Sequence, residues 1–214
     1  MELATENYLT QVSNWPTTGR HILAQFDENS VVVYQAYRPE IGNFAASKGY
    51  FGGEFSLNRM SWIKTNFLWM MYRSGWGSKT GQEIILAVSI KRTAFDEILT
   101  KGVHSKFIPT IYKTQEEWKE VVKRSPVRLQ WDPDHNPMGQ KVERRAIQLG
   151  LRGEALRNYS RDWIVKIENI TEFVQQQRIY REPSKWTDLI TPKENVYPVE
   201  NSEIIHKLGL SIRD

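Results

Sequence analysis

Cysteine is missing from all 214 positions of the chain. Without thiols the chain cannot form disulfides, thiolate nucleophiles, or cysteine-ligated zinc and iron–sulfur sites. A chain of this length buries roughly 70% of the surface that it would expose when unfolded, so it needs no such cross-links to fold. Because a chain without disulfides is compatible with a reducing compartment, we expect a cytoplasmic protein.

Long apolar runs are also missing. No stretch approaches the ~20 apolar residues of a membrane-spanning helix, and the polar opening MELATENYLTQ has no signal-peptide pattern. We therefore expect no membrane partner. The motifs GxGxxG, GxxxxGK[ST] and GxSxG are absent as well. Their absence argues against the common dinucleotide-binding and phosphate-binding loops and against the common serine hydrolases.

The excess of positive charge is small, since 29 Lys and Arg residues face 25 Asp and Glu residues. A net charge of +4 is far below that of a protein that coats DNA, but it is compatible with a local anion site. Aromatic residues are plentiful at 12%, which predicts a heavy core or a cleft lined with stacking rings. We assign Trp69 to the core and Trp76, which lies between two glycines, to a stacking surface.

The hydrophobic patterns predict strands that are separated by single helices at uneven spacing. This order predicts an α+β fold with a mixed, mostly antiparallel split sheet and peripheral helices. We expect residues 1–180 to form one domain and residues 181–214 to form an extended C-terminal tail packed on it. The predicted strands are Arg20–Gln25, Val31–Tyr37, Phe55–Lys64, Glu83–Lys91, Val127–Trp131, Ala146–Leu151 and Trp163–Ile170.

Two helices have clear boundary signals between the second and fourth of these strands. Pro39 and Gly49 bracket the first helix, following the preference of proline for the first turn and of glycine for the end. Thr65 is expected to cap a second helix over about Asn66–Ser74, and Gly75 occupies the stop position.

The middle of the chain contains a capping box and a predicted loop. Thr114 opens the box in the sequence TQEE, and Trp118, Val121 and Val122 are expected to form the buried stripe of that helix. The proline-rich, aspartate-rich run over residues 132–137 is expected to be a loop.

Basic residues lie near the ends of several predicted strands. Each is individually more typical of a solvated or ion-paired side chain than of a ligand contact. If they gather in one cleft, however, they can hold a pyrophosphate through bidentate hydrogen bonds. Arg73 is expected to be partly buried because it follows an apolar run. The residues of this set are Arg20, Arg59, Lys64, Arg73, Lys79, Arg144, Arg145 and Arg152.

Each of the other polar candidate residues has two possible roles. Gln35 lies in an otherwise apolar strand, so its amide is either satisfied by neighbouring groups or binds a ligand at the floor of a cleft. His21 is either structural or an acid, base or anion contact. Asp132, Asp134 and His135 are metal-ligand types, but turns favour aspartate in any case, and we expect no metal.

Four segments carry a resemblance: RHILAQFDENSVVVYQAY, NRMSWIKTNFLWMMYRSGWGSK, SPVRLQWDP and RAIQLGLRGEAL. They are similar to the family labelled domain of unknown function 4291, over about Arg20 to Thr171. More distantly, the order of motifs resembles the ADP-ribosyltransferase superfamily, including the RNA 2′-phosphotransferases. RHILAQ, then YQAY, then a helix, then NRMS fall in the superfamily's order.

The distant resemblance implies a fold and an activity. It implies an ADP-ribosyltransferase-like fold and an enzyme that binds NAD as a substrate and transfers ADP-ribose to an acceptor, with RNA or DNA as candidate acceptors. Gln35 takes the place where the superfamily keeps a His or Arg. Arg59 or Ser61 would line the nicotinamide side, and Arg144, Arg145 or Gln148 would stand where many transferases have glutamate. The implied cofactor-binding residues are Arg20, His21, Tyr34, Ala36, Lys64, Arg73 and Trp76.

Two other functions are compatible with the same residues. The first is a non-catalytic module that binds RNA or a nucleotide, with basic residues along the phosphates and Trp76 or Trp131 stacked on bases. The second is an interaction domain whose activity resides in the tail. A binding module should lose affinity steeply with salt and should consume no NAD.

Overall fold

The computed structural model describes residues 2–211 and has an α+β architecture. The strands within these residues are β1 (Thr5–Asn7), β2 (Leu23–Ala24), β3 (Ser30–Tyr37), β4 (Ser61–Lys64), β5 (Ile84–Lys91), β6 (Gly102–His104), β7 (Val127–His135), β8 (Lys141–Leu151), β9 (Ile164–Asn169), β10 (Ile190–Pro192) and β11 (Asn195–Val196).

Eight α-helices and one 3₁₀ turn, Pro183–Lys185, lie within residues 2–211. The helices are α1 (Tyr8–Val12), α2 (Pro39–Lys48), α3 (Phe67–Ser74), α4 (Arg92–Lys101), α5 (Gln115–Arg124), α6 (Gly153–Ser160), α7 (Thr171–Arg178) and α8 (Ser202–Leu208).

Seven of the described strands form one sheet in the order β6-β7-β8-β4-β3-β5-β9. The β6–β7 pair is parallel, and the other neighbours in this sheet are antiparallel. Two small antiparallel pairs, β1–β10 and β2–β11, lie beside it. The prediction of an α+β fold with a mixed, mostly antiparallel sheet is therefore confirmed.

The large sheet is covered by an apolar cluster on each face. Successive side chains of a strand point to opposite faces and so enter the two clusters in turn. Along β3, Val31 and Val33 belong to one apolar cluster, and Val32 and Tyr34 belong to a second cluster on the other face. The second cluster includes several residues of α3, which packs on that face. Gln35 follows the alternation toward the first face.

The sheet has a weak seam between β3 and β4. Their backbone register contains one residue pair, Tyr34 with Lys64, whereas β3 pairs with β5 along its whole length. β4 in turn pairs with β8 over all four of its residues. The two halves of the sheet are thus each well joined, and they separate from each other beyond this single pair.

Some predicted boundaries are wrong, and the structure gives the reason for each. The strand expected over Phe55–Lys64 begins only at Ser61, because Phe55 turns inward to pack on Tyr37 and Phe51. The helix α3 is capped by Asn66 rather than by Thr65, since the Asn66 side chain accepts a hydrogen bond from the Trp69 amide at 2.7 Å.

Two further corrections concern α5 and β7. Thr114 caps α5 as expected, but none of that helix's residues is fully buried, so the predicted buried stripe is wrong. The run over residues 132–137 is not all loop, because β7 continues to His135. The carboxylate of Asp134 accepts hydrogen bonds from Arg144 on β8 at 2.6 and 2.8 Å, which holds this part of β7 against its neighbour.

The C-terminal segment over residues 181–211 contains more regular structure than a simple tail. It contributes β10 and β11 to the two small strand pairs, and it ends with α8. Leu189 and Tyr197 of this segment are buried in different apolar clusters. Among the described residues, no helix is long and apolar enough to cross a membrane.

Candidate functional site

A cleft of about 610 Å³ opens at the seam between β3 and β4. Its walls come from the end of β3, the loop that precedes β4, the start of β4, and one side of α3. The volume lies within the range of roughly 300–1,000 Å³ that is typical of small-molecule sites. Six of the predicted site residues line it, namely Gln35, Ala36, Arg59, Ser61, Lys64 and Arg73.

A chain of hydrogen bonds forms the floor of the cleft. The Tyr159 hydroxyl donates to Gln35 Oε1 at 2.6 Å, and Gln35 Nε2 donates to Ser61 Oγ at 3.0 Å and to the Trp62 carbonyl at 3.2 Å. Ser61 Oγ and the Tyr37 hydroxyl share a further bond of 2.9 Å. The amide of Gln35 therefore bridges the seam where the backbone ladder stops, and both of its amide hydrogens are already used.

The two phenols of this floor stay protonated at neutral pH. Burial raises the pKa of Tyr159 well above its ordinary value, and burial also raises the pKa of Tyr37. For Tyr37, the hydrogen bond with Ser61 and the nearby charge of Arg59 oppose this rise only in part. Ser61 and Tyr37 are half-buried residues, and both line the cleft.

Three cations face the cleft from β4, its preceding loop and α3. They are Arg59, Lys64 and Arg73, and within residues 2–211 none of them forms an ion pair. Arg59 and Arg73 are exposed, which corrects the expectation that Arg73 is partly buried, whereas Lys64 is only 6% exposed. The pKa of Lys64 falls to about 8, because burial and, to a smaller extent, the neighbouring charge of Arg73 lower it, while Asp132 opposes the shift.

An aromatic ring lies between two of these cations. Lys64 Nζ and the Arg73 guanidinium each lie 6.0 Å from the centroid of the Trp69 ring. Trp69 is itself buried and stacks on Tyr72 and His135, with ring centroids 5.4 and 5.5 Å away. The assignment of Trp69 to the core is therefore confirmed. Its face offsets part of the cost of two neighbouring positive charges.

The rim of the cleft carries a compensated pair. Arg38, which precedes α2, forms ion pairs with Glu54 and with Glu40, the latter at 3.8 Å. Glu54 and Arg38 both line the cleft, and Glu40 does not. Within the cleft lining, the cations that lack a carboxylate partner are therefore Arg59, Lys64 and Arg73.

Comparison with known families identifies the chain. The model of the family described as Domain of unknown function (DUF4291) matches residues 21–197. The chain belongs to the DUF4291 family. No curated protein matches the sequence. The matched segment of this DUF4291 chain contains the seam, the three cations and Tyr159, and it extends through β11 of the C-terminal segment.

Gln148, one of the predicted catalytic residues, lies behind the cleft rather than in its wall. It is the register partner of Lys64, and its amide donates to an Asp132 oxygen at 2.6 Å. Gln130 donates to the other Asp132 oxygen at 2.8 Å. These two amides fix the carboxylate that keeps the pKa of Lys64 from falling further.

Three other predicted residues lie away from the cleft in this DUF4291 chain. Arg20 is placed against the end of α8, where its guanidinium is close to Gly209. His21 is buried beside it and does not line the cleft. Arg145 is exposed on β8, and its backbone amide bonds to the Gly19 carbonyl. These residues do not converge with the cations at the seam.

The aromatic candidates are buried. Tyr34 is fully buried and packs edge-on against Phe67, with ring centroids 5.6 Å apart, because its position in β3 points it to the face opposite Gln35. Trp76 is also buried in the second apolar cluster, and its indole N–H donates to the Pro137 carbonyl at 3.2 Å. Trp76 therefore presents no stacking surface to a ligand, which corrects that expectation.

Three contributors to the site were not predicted from the sequence. Tyr159 is 124 residues from Gln35, its hydrogen-bond partner, and an aromatic residue on an amphipathic helix is typical of a core position. Glu54 and Arg38 lie between predicted elements, and no local pattern marks them as site residues. Among residues 2–211, no group of three or more His, Asp or Glu side chains is arranged to hold a metal ion.

Proposed function

We propose that the cleft binds the pyrophosphate of NAD or of a related dinucleotide, and that the chain transfers the ADP-ribose part of NAD to an acceptor. The observation that carries this proposal is the convergence of Arg59, Lys64 and Arg73, without carboxylate partners, on one cleft at the seam. Uncompensated cations at a concave surface concentrate anions there. The choice of NAD rests on the resemblance of RHILAQ, YQAY and NRMS to the transferase motifs.

The side chains of the cleft divide into two roles under this proposal. Arg59 and Arg73 bind phosphate oxygens through their planar, multiply donating guanidinium groups, and Lys64 adds a point charge between them. Gln35 does not contact the ligand through its amide hydrogens. It is a positioning residue that holds Ser61, whose hydroxyl meets a ribose together with that of Tyr37.

The transfer step needs a carboxylate more than it needs further cations. The glycosidic bond from the ribose C1′ to nicotinamide breaks, nicotinamide leaves with the bonding electrons, and an oxygen or nitrogen of the acceptor forms the new bond at C1′ and gives up its proton. Positive charge develops on the ribose during this step. Glu54 is the carboxylate that the described cleft wall supplies, and its negative charge can stabilise that centre once Arg38 is shared with the ligand.

Nicotinamide release from labelled NAD tests the activity, with RNA, DNA and protein offered as acceptors. Replacing Glu54 with Gln should lower kcat about 10²-fold or more, because one preformed electrostatic contact is lost from the transition state. Glu40→Gln is the matched control, since Glu40 is also a partner of Arg38 but lies outside the cleft. Absence of nicotinamide release by the unmodified chain, or an equal loss in both variants, would contradict the transferase assignment.

A non-catalytic nucleotide-binding module is the second candidate. It is favoured by the pairing of Glu54 with Arg38, which leaves the unliganded cleft without an unpaired carboxylate. The same experiment separates the two functions. A module binds NAD and is saturated by it, yet releases no nicotinamide with any acceptor.

A further inference from the structure

Lys64 is a buried amine at the wall of an accessible cleft. Its side chain is 6% exposed, and its ammonium makes no hydrogen bond or ion pair within the described residues. Desolvation disfavours the charged form of a lysine, and a second cation nearby disfavours it again. A lysine in such a place releases its proton readily, and the neutral amine is a nucleophile toward carbonyl carbon.

The charged groups around Lys64 come from two elements. Arg73 of α3 lies at the same 6.0 Å distance from the Trp69 ring centroid as Lys64 Nζ, and its charge lowers the pKa of Lys64. Asp132 of β7 acts in the reverse sense, but both of its oxygens accept hydrogen bonds from amides, so it is not in an ion pair with Lys64. The register partner on β8, Gln148, is neutral. Asp132 therefore acts on Lys64 through its charge and does not form an ion pair with it.

We propose that the cleft captures small phosphorylated aldehydes, with Arg59 and Arg73 binding the phosphate and Lys64 forming an imine with the aldehyde carbon. The three side chains line one cleft, so an anion on the guanidinium groups is delivered to the amine. This inference goes beyond NAD chemistry, since imine formation requires neither NAD nor an acceptor.

The step balances without an oxidant or a reductant. The nitrogen lone pair of Lys64 attacks the carbonyl carbon, and the resulting carbinolamine loses the oxygen as water together with the two hydrogens of the amine. A C=N double bond remains, and a solvent proton converts it to the iminium ion. The phosphate stays on the guanidinium groups throughout, which raises the local concentration of the aldehyde.

Lys79 is a matched comparison for reactivity. It follows α3 closely, but it is exposed, and its ammonium donates to the carbonyls of Arg73 and Tyr72 at 2.6 and 3.5 Å. The ammonium of Lys79 is therefore occupied by two carbonyl acceptors, whereas that of Lys64 has none within the described residues. A general reagent for amines should therefore distinguish Lys64 from Lys79.

The test uses the full chain with pyridoxal 5′-phosphate at pH 7.5, reduction by borohydride, and mapping of the labelled peptides by mass spectrometry. Labelling of Lys64 should exceed that of Lys79 at least tenfold, and it should exceed labelling of Lys64 by unphosphorylated pyridoxal by a similar factor. Arg73→Gln should lower it, because phosphate binding weakens and the pKa of Lys64 rises. Uniform labelling of lysines, or equal labelling of Lys64 by the two reagents, would overturn the proposal.

Two further arms keep the result interpretable. Lys64→Arg and Lys64→Met should both abolish the selective label, while Lys79→Arg should leave it unchanged, with folding checked by circular dichroism. Adding NAD separates this inference from the proposed function. Selective labelling that NAD does not protect against leaves the imine site standing and counts against NAD binding. If NAD binds but Lys64 is not selectively labelled even without NAD, the imine site alone is overturned and NAD binding stands.

Discussion

At the scale of single residues, Lys64 is the costliest side chain of the cleft. A buried cation is unfavourable unless a carboxylate or a set of hydrogen bonds compensates it. Lys64 has neither within the described residues, and its pKa falls from 10.5 to about 8. At 1.36 kcal/mol per pKa unit, the charged form costs about 3 kcal/mol at neutral pH. Strongly shifted groups of this kind cluster at functional sites.

Replacing Lys64 with Met should stabilise the chain at pH 7 by up to about 3 kcal/mol, because the charge penalty is removed and the volume is nearly kept. Below pH 8 Lys64 is protonated in both folded and unfolded chains, so the penalty is complete. Between pH 8 and 10.5 only the unfolded chain keeps the proton, and the wild type gains stability as pH rises. Urea unfolding at pH 7 and pH 9.5 measures the free energy of unfolding of both proteins. The prediction is contradicted if Lys64→Met is less stable than the wild type at pH 7, or if its greater stability does not shrink between pH 7 and pH 9.5.

At the scale of elements, α3 positions one wall of the cleft and is fixed at both ends. Its first amide, that of Phe67, donates to Glu194 Oε1 at 2.6 Å, and Gly75 ends it in the left-handed conformation with φ of 60°. Glu194 belongs to the C-terminal segment, and burial raises the pKa of its carboxyl well above the ordinary range. The helix that presents Arg73 thus depends on a side chain from the far end of the chain.

Substitution of Glu194 separates its two contributions. Glu194→Gln keeps an oxygen for the Phe67 amide and removes a buried group that can ionise, so we expect unchanged or higher stability wherever the pH lies above the raised pKa of Glu194. As pH falls through the raised pKa toward 4.5, the wild type takes up a proton and recovers this difference. Glu194→Ala removes the acceptor and should cost about 1–3 kcal/mol. Thermal unfolding of both variants decides the matter, and equal damage by Gln and Ala would be the contrary result.

Elements with local signals were predictable from the sequence, and those fixed by distant contacts were not. Pro39 and Gly49 bracket α2 because first-turn proline and a final glycine act on the backbone directly, and Gly49 indeed has φ of 74°. By contrast, β7 runs on through an aspartate-rich, proline-containing stretch because Asp134 is paired with Arg144 across the sheet. Nothing near Asp134 in the sequence indicates that partner.

The residues of the candidate site also fall into those with a local sequence signal and those whose role depends on distant contacts. Arg59, Lys64 and Arg73 could be selected because they are basic residues near the ends of predicted strands, and the fold does bring them together. Arg20 has the same local appearance, yet it lies against the end of α8. The role of Gln35 as a bridge across the seam also could not be read locally, since it requires Tyr159 from α6.

At the scale of the whole molecule, the C-terminal segment joins both faces of the sheet. Leu189 is buried in one apolar cluster, and Tyr197 and Leu208 are buried in the other. Its strands complete pairs with β1 and β2 from the start of the chain. We therefore expect residues 2–211 to unfold as one cooperative unit rather than as a domain with a separable tail.

A chain that ends at residue 180 should fail to fold cooperatively. It loses three buried side chains, each worth about 2–5 kcal/mol, together with the Glu194 cap of α3. That loss is comparable to the total stability of an average domain, about 5–15 kcal/mol. Circular dichroism during urea unfolding and size-exclusion chromatography report the outcome. A truncated chain with the full-length midpoint would show that the segment is an accessory tail.

Calorimetric titration with NAD measures whether the unpaired cations at the seam bind a dinucleotide. Arg59→Ala and Arg73→Ala should each weaken binding about tenfold or more, which corresponds to about 1.4 kcal/mol for a lost charge-assisted contact. Arg124→Ala is the control, because Arg124 is an exposed arginine of α5 far from the cleft wall. Its affinity should equal that of the wild type. Absence of NAD binding by the wild type, or equal affinity in all four proteins, would contradict the account.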